Sequence, residues 1–485
     1  MRAAVLCGCV AVVLAGLYSP RSGVDAAAKA CPAGAIAIAP GKSIQAAVDA
    51  APPDARFCIE AGVHRMQSVT PRPGQQFIGQ PGAVLDGARV LDSFVRDGAY
   101  WIAEDPDRRV APHGYCAPGH PKCAEPAGVF INGRALAQVP ARFWLRPGTF
   151  LFDVDRHRIV IADDPTGKRV EAASTTYAFT GSADGVTIRG LTIEMYRNPA
   201  QTGAVNGASA KGWRVENSEI RLNSGTGVTV GSGGRIRDCN IHHNGQLGAG
   251  GTGSDIVLDG NTIWANNTAL FDRAWEAGGV KLGRARNVTF RANHVYDNGG
   301  PGLWCDMDCD HVLFVGNTVE RNGDAGIFFE ISRDATIRGN VLRDNGQLGL
   351  SWYWGADIQI AASQDVTACD NRITVRPGGS AIMLIDQRRE NADDAPSPTR
   401  GNLACRNDIE FRGAGAAGGV SDALPGVHDF SIIETGGNRF VANRYRYQPG
   451  SPPVFPWGHR ELDFEEFKRI GQEAGGSLTS ETAAR

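Results

Sequence analysis

The chain has 485 residues, 62 of them glycine, and a formal net charge of −3 at pH 7. This near-neutral charge gives no reason to expect a nucleic acid or an anionic membrane surface as the partner. Abundant glycine and asparagine, with few segments of helical period, favour a turn-rich all-β architecture.

The first residues have the pattern of an export signal. Arg2 precedes an apolar run over 3–17 that is too short to span a bilayer, and small residues then lead to Ala28-Lys29-Ala30. Nothing later in the sequence is long and apolar enough for a transmembrane helix. We therefore expect a signal peptide at 1–30 and a secreted or periplasmic protein without a membrane span.

Cysteines in an exported protein can form disulfides. The candidate pairs are Cys116 with Cys123, Cys305 with Cys309, and Cys31 with Cys58. Because Cys7 and Cys9 belong to the leader, an odd number remains and at least one thiol stays free. The spacings lack the paired knuckles that a zinc site requires.

The region from about 184 to 407 repeats itself with a period near the low twenties. One polar column has steps of 21, 22, 32, 24, 23, 31 and 36 residues, and a second column follows the same first five steps. The first column is Ser218, Cys239, Asn261, Asn293, Asn317, Asn340, Asn371 and Asn407. The second is Asn223, Asn244, Asn266, Asn298, Asn322 and Asn345. Two columns that keep register through unequal steps indicate a solenoid.

Each repeat contains short alternating strands separated by Gly/Asn turns, which predicts β-coils rather than helices. An inward Asn at each corner can hydrogen-bond to the coils above and below it. Cys239 falls in this Asn column, so we expect a buried free thiol. Cys369 and Cys405 each lie two residues before the column, which places them within disulfide reach on adjacent coils.

These repeats resemble the right-handed parallel β-helix (pectin-lyase-like) superfamily of pectate lyases, polygalacturonases and related glycosidases. The segments 41–51 and 59–64 resemble the opening cap and coil of that superfamily, and 129–134, 147–150 and 163–165 resemble a β-rich insertion of its glycosidase-like members. The resemblance implies a carbohydrate as the substrate. It gives these boundaries: signal peptide 1–30, N-terminal cap and first coils 31–100, β-rich insertion 101–178, parallel β-helix 179–445, and C-terminal tail 446–485. Within the tail, near-helical apolar spacing over 461–473 predicts a short helix that packs on or caps the solenoid.

Candidate catalytic residues come from an alignment of three coils without gaps. Gly279, Gly302 and Gly326 share one column, Lys281, Trp304 and Phe328 another, and Gly283, Asp306 and Glu330 a third. Asp306 and Glu330 should therefore stack on adjacent rungs, near the separation of about 5–5.5 Å found in retaining glycosidases. Close like charges would raise one pKa, leaving one carboxyl as proton donor and the other ionised. Asp308 and Glu276 are second-tier catalytic candidates.

Loop insertions near these coils supply candidate sugar-binding residues. The set is Lys281, Trp304, Trp275, Trp352, Tyr353, Trp354 and Asp357. Aromatic faces suit sugar C–H groups, although packing between loop and coil is an alternative role, above all for Trp304. A further insertion runs over 388–400.

Three functions remain open from the sequence. Hydrolysis of a poly- or oligosaccharide by the Asp306/Glu330 pair is the leading hypothesis, with no organic cofactor and a monomeric enzyme. The alternative is a Ca²⁺-dependent lyase or epimerase on uronates, with Asp306, Asp308 and Glu330 as ligands and Lys281 as base. The third is a surface protein that binds glycans without turnover.

Overall fold

The computed structural model describes residues 31–105, 111–350, 352–421 and 430–481, so the predicted signal peptide lies outside the described residues. Most of the described strands run parallel in successive coils, and a full coil contributes one strand to each of three faces. Neighbouring coils pair in continuous register, as between Gly278–Arg291 and Leu303–Asp306. The predicted all-β parallel solenoid is confirmed.

The first face contains Phe179–Thr180, Gly203–Gly207, Thr226–Val230, Leu247–Ser254, Gly278–Arg291, Leu303–Asp306, Ile327–Glu330, Ile358–Ala361, Gly379–Asp386, Gly415–Ser421 and Phe455–Gly458, with Arg460–Leu462 antiparallel at its end. The long strand Gly278–Arg291 turns the corner and continues on the second face. The other strands of the second face are Ile36–Ile38, Arg56–Ile59, Gln76–Gly79, Thr187–Arg189, Arg214–Glu216, Arg235–Arg237, Val257–Asp259, Asp310–Val315, Arg333–Arg338, Gln364–Cys369, Leu403–Cys405 and Arg439–Val441.

The third face is a separate 13-stranded sheet. Its strands are Gly62–Arg65, Ala83–Asp86, Thr192–Glu194, Glu219–Arg221, Asn240–His242, Thr262–Trp264, His294–Tyr296, Thr318–Glu320, Val341–Arg343, Arg372–Val375, Asp408–Phe411, Arg444–Tyr447 and Ser477–Ser480. Inward side chains from all three faces fill one elongated core, in which equivalent residues stack from coil to coil. Phe290 and Phe314, for example, lie parallel with ring centres 4.7 Å apart.

Both predicted Asn columns are hydrogen-bonded ladders inside the coils. The Nδ2 of Asn293 donates to Oδ1 of Asn317 at 3.0 Å and to the carbonyl of Leu258 at 3.0 Å. In the second ladder, Nδ2 of Asn298 donates to Oδ1 of Asn322 at 2.9 Å. Each side-chain amide thus forms hydrogen bonds with buried backbone groups at a corner, and these groups would otherwise be unpaired.

Three of the candidate disulfides are present and one is absent. Cys31–Cys58, Cys116–Cys123 and Cys369–Cys405 are bonded, and Cys239 is a buried thiol, as predicted. Burial raises the pKa of the Cys239 thiol to about 12.

The predicted Cys305–Cys309 bond is wrong, because both residues are buried thiols. Cys305 points into the core. Cys309 takes a corner position on top of Ser332, where its S–H donates to the carbonyl of Leu282 at 3.4 Å. The short sequence separation suggested a disulfide. A corner lies between the two residues, however, and Cys309 takes a corner position that stacks on the next coil.

Two small sheets interrupt the coils between residues 88 and 173. One contains Ala88–Leu91, Val129–Ile131, Arg134–Ala135 and Val170–Ala173. The other contains Val95–Asp97, Tyr100–Glu104, Ala137–Gln138, Thr149–Asp153 and Arg158–Ile161, with the 3₁₀ turn Arg142–Trp144 beside it. They enclose an apolar core of their own, so this insertion is a compact unit placed against the solenoid.

Short helices lie over both ends of the coil core. Helix Ile44–Ala50 begins after Ser43, whose side chain accepts from the N–H of Ala46, and buries Ile44 and Val48. Near the other end, Phe464–Arg469 begins with a capping box at Asp463 and buries two phenylalanines. The remaining helices are Arg273–Glu276 and Ser431–Thr435. Among the described residues, no helix has the length and apolar character needed to cross a membrane.

Candidate active site on the first face

The two candidate carboxylates lie on neighbouring strands of the first face. Leu303–Asp306 and Ile327–Glu330 pair in register, with Asp306 directly opposite Glu330. Strand alternation turns Cys305 into the core and leaves both acids on the outer side. Neighbouring strands are about 4.8 Å apart, so the two carboxyl groups share a small volume. They are nevertheless well covered, with exposed fractions of 9% for Asp306 and 7% for Glu330.

The two acids differ in their electrostatic surroundings. Burial and the negative charge of Asp306 raise the pKa of Glu330 to about 8, against the opposing effect of Arg389 and Lys281. Glu330 is therefore largely protonated at neutral pH. Asp306 has a cationic partner instead, since Nζ of Lys281 lies 2.9 Å from its Oδ2. The Oδ1 of Asp306 is buried without a hydrogen-bond partner among the described residues.

Lys281 is held on several sides. Besides Asp306, its Nζ lies 3.5 Å from Oε2 of Glu276 and donates to the carbonyl of Trp275 at 3.2 Å. The same atom lies 3.9 Å from the ring centre of Trp304. An ammonium has three N–H donors, and three oxygens surround this one. The arrangement fixes the ammonium of Lys281 beside Asp306 and leaves its side chain only 12% exposed.

A chain of polar side chains extends from Glu276 away from the carboxylate pair. Glu276 ends the short helix Arg273–Glu276, and its Oε2 accepts from Nε2 of Gln201 at 2.8 Å. The Oε1 of Gln201 lies 2.7 Å from Nε2 of His113. Sequence reasoning missed Gln201 and His113, because they are 75 and 88 residues away from their partners and belong to loops without the coil period.

A hairpin covers the other side of the pair. Its strands Arg389–Glu390 and Pro396–Ser397 lie within the insertion noted at 388–400, and Nη1 of Arg389 lies 3.4 Å from Oε1 of Glu330. The N–H of Ala392 in this hairpin donates to Oδ2 of Asp308 at 3.0 Å. The Oδ2 of Asp308 therefore anchors the hairpin, and a catalytic role for this residue stays a prediction. No sequence pattern singled out Arg389.

Comparison with known proteins gives the same architecture. Residues 203–385 match the family model described as a right handed beta helix region. The chain is a right-handed parallel β-helix. The parallel β-helix fold that the repeats predicted is thereby confirmed.

The chain is similar to several solved structures to different degrees. One described as XylC in complex with xylose is 14% identical, with a TM-score of 0.57 over 90% of this chain and 82% of that chain. The A-module of the mannuronan C-5 epimerase AlgE6 of Azotobacter vinelandii is 14% identical, with a TM-score of 0.48 over 91% and 95%. A structure described as a glycoside hydrolase is 10% identical, with a TM-score of 0.34 over 87% and 92%. No curated protein sequence matches the chain at a significant level.

The aromatic residues of the β-helix divide into packed and accessible ones. Trp304 stacks on Phe328 with ring centres 5.3 Å apart and is buried, so packing accounts for most of its surface. Trp275 packs edge-on against Tyr115 beside Glu276. Trp352, by contrast, is exposed, and only its loop neighbours Tyr353 and Trp354 contact its ring. The hydroxyl of Tyr353 is bound to Glu461 at 2.7 Å.

Asp357 lies inside the coil and does not face the sugar site, contrary to its selection as a binding residue. Its Oδ1 accepts from Nδ2 of Asn345 at 2.6 Å, which ends the second Asn ladder. Burial raises the pKa of Asp357 to about 7. The adjacent aromatic loop suggested a surface position, whereas the strand register puts this residue in the glycine column.

The acids proposed for Ca²⁺ do not assemble into one ligand set. Asp308 is committed to the 388–400 hairpin, and Asp306 to Lys281. Among the described residues, the group of three whose ligand atoms lie within 4.8 Å of one another is Asp310, His311 and Asp334 on the second face. His311 and Asp334 in that group are exposed, and Asp310 also pairs with Arg333.

Proposed function

We propose that this protein is an exported glycoside hydrolase in which Glu330 is the proton donor and Asp306 is the second carboxylate. The observation that carries the proposal is the register pair itself. Of the two acids on adjacent rungs, Glu330 has a pKa raised by burial, and Asp306 lies 2.9 Å from the ammonium of Lys281. Hydrolysis of a glycosidic bond needs one carboxylic acid and one carboxylate on either side of the bond.

The rung spacing supports a particular stereochemical outcome. Carboxyl groups on adjacent strands start about 4.8 Å apart at the backbone, near the separation of about 5–5.5 Å that retaining glycosidases use. Inverting enzymes need a wider gap to admit a water molecule. We therefore propose that Asp306 attacks the anomeric carbon and that Glu330 first protonates the leaving oxygen and then deprotonates water.

The contacts of Lys281 weigh against the lyase alternative. A lyase base must be free to take the proton beside a uronate carboxylate, and it must be unprotonated to do so. Lys281 instead lies between two carboxylates and a carbonyl oxygen, which occupy its three N–H donors. Its role in the proposal is to pair with Asp306 and orient it.

The reaction type can be tested with the chain lacking residues 1–30 on a panel of neutral and uronate polysaccharides, with and without a chelator. New reducing ends without an unsaturated chromophore are expected. The variants Asp306→Asn and Glu330→Gln should lose about 10²–10⁴ in turnover, the range for loss of acid–base catalysis. Glu320→Gln on the third face is the matched control and should act like the wild type. A chelator-sensitive unsaturated product would replace the hydrolase with the lyase. Binding of a glycan without turnover would favour the non-catalytic role.

A further inference from the structure

A cavity lies between the insertion and the coils, away from Asp306 and Glu330. Its volume is about 510 Å³, within the range of about 300–1,000 Å³ for ligand pockets. The insertion contributes Gln138 and Trp144 to its wall, and the solenoid contributes His243 and Leu270. We call this cavity the insertion cleft. It belongs to neither unit alone, since each supplies one side.

The polar groups of the insertion cleft are suited to hydroxyl groups. Gln138 lines the cleft, and its buried Nε2 has no hydrogen-bond partner among the described residues. Burial, together with the nearby His242 and Arg221, lowers the pKa of His243 to about 4, which keeps this imidazole neutral. Its Nδ1 is 2.9 Å from Nδ1 of His242. A neutral imidazole and a carboxamide each offer a hydrogen-bonding group to a sugar hydroxyl.

The Lys and Arg side chains that line the insertion cleft give its wall a positive charge. None of the described residues that line it is acidic, while Lys122 and Arg146 are cationic. A sugar chain with or without carboxylate groups can therefore enter without repulsion. A cationic ligand would meet no counter-charge in the wall.

An aromatic ring stands at the side of the insertion cleft. Trp144 is 52% exposed although it lines the cleft, and Leu270 opposite it is also exposed. Tryptophan combines a flat apolar face with a polar edge, which suits the C–H face of a sugar ring. Phe143, its neighbour in the same 3₁₀ turn, is 81% exposed but does not line the cleft.

We propose that the insertion cleft binds a short oligosaccharide as a second glycan site, separate from the Asp306/Glu330 pair. The inference rests on the proposed function in that a glycan is taken to be the substrate. Its donors, its exposed indole and its lack of acids match a polyhydroxylated chain better than a flat aromatic or a cationic ligand.

The loop that contains the disulfide Cys116–Cys123 contacts both the insertion cleft and the surroundings of Glu276. Cys123 lines the cleft, whereas Tyr115 of the same loop contacts Trp275 beside Glu276. The loop is joined to the solenoid by the N–H of Ala117, which donates to the carbonyl of Leu270 at 3.0 Å. A glycan held in the cleft would thus be separated from the acids by one loop, and the site would raise the local concentration of a polymeric substrate.

The test is titration calorimetry with the Asp306→Asn/Glu330→Gln double variant, which removes turnover, against xylohexaose and the hexamer of galacturonate. Trp144→Ala should remove one binding site per chain for at least one hexamer, or weaken its affinity by about tenfold, as for an aromatic hot spot. Phe143→Ala is the matched control and should leave stoichiometry and affinity unchanged. In the active protein, Phe143→Ala should leave kcat on a short aryl glycoside unaltered.

Two results would overturn the proposal. One is binding that is the same in Trp144→Ala and Phe143→Ala. The other is the absence of binding by either hexamer at millimolar concentration. Failure of the hydrolase hypothesis has a different signature, because a protein without turnover would still show a site that depends on Trp144. Loss of turnover in the Asp306 and Glu330 variants does not bear on the cleft.

Discussion

The burial of Glu330 favours its protonated form. Two ionised carboxylates on adjacent rungs would repel each other, and cross-strand like charges cost stability. The molecule avoids this cost by keeping Glu330 protonated and by pairing Asp306 with Lys281. The same arrangement supplies the acid and the ionised carboxylate that glycosidic cleavage requires.

The pH profile follows from the pKa of Glu330. The acid must be protonated to act, so kcat/KM should fall as the pH rises through about 8, with an apparent pKa that belongs to the coupled pair. Arg389→Gln removes a positive charge that lowers this pKa, so the falling limb should move to higher pH. Arg400→Gln is the control, because Arg400 is bound to Gln364 outside the site. An alkaline limb that stays in place, or moves to lower pH, would contradict the role of Arg389.

Cysteine chemistry gives a second test at single residues. The chain beyond residue 30 should contain three disulfides and three thiols, and burial should protect those thiols from alkylation until the protein is unfolded. Mass spectrometry after alkylation under denaturing, non-reducing conditions should therefore find three labelled cysteines. A single labelled cysteine would mean that Cys305 and Cys309 are bonded after all.

The carboxylate pair was predictable from the sequence because it follows the coil period. The alignment of Gly279 with Gly302 and Gly326 fixed the register, and a β-strand's alternation of sides then placed both acids outward. The partners of the pair were not predictable. Gln201 and Arg389 reach the site from loops. The sequence repeat predicts the strands, but it does not predict the conformation of these loops.

The Asn ladders are the elements that hold the coils in register. Asn293 shows the density of contacts: its Oδ1 accepts from both the N–H and Nδ2 of Asn261, while its own Nδ2 donates to Asn317 and Leu258. Removing a buried amide leaves several partners unsatisfied, which is costly. The ladders were predictable because they need only the spacing of one residue type. Asp357 was misplaced because the inserted loop before it hid its column.

Truncation within a ladder should therefore destabilise the whole protein. Asn293→Ala is expected to lower the free energy of unfolding by about 2–4 kcal/mol, from lost hydrogen bonds and stranded buried groups. Thr289→Ala, on the outward side of the long strand Gly278–Arg291 that ends just before Asn293, should cost less than about 1 kcal/mol. Denaturant unfolding of the two variants gives the comparison. Equal losses would show that the ladder amides add nothing beyond strand packing.

The whole molecule is one solenoid with a separate unit against its side. The solenoid was predictable because its contacts link residues one coil apart, and the sequence repeat indicates which residues these are. The insertion has strands of its own, but its placement against the coils depends on contacts such as Arg65 with Glu171, which are 106 residues apart and carry no periodic signal. For the same reason the insertion cleft could not be predicted from the sequence.

The central claim, that Glu330 and Asp306 divide the roles of acid and nucleophile, is tested most directly by leaving-group dependence. The measurement is turnover of a natural oligosaccharide and of the matching nitrophenyl glycoside by the wild type, Glu330→Gln and Asp306→Asn. Because nitrophenolate leaves without protonation, Glu330→Gln should lose about 10²–10⁴ on the oligosaccharide but far less in the first step on the aryl substrate. Asp306→Asn should lose activity on both. Near-wild-type turnover of the oligosaccharide by either variant, or an equal loss on both substrates in Glu330→Gln, would contradict the account.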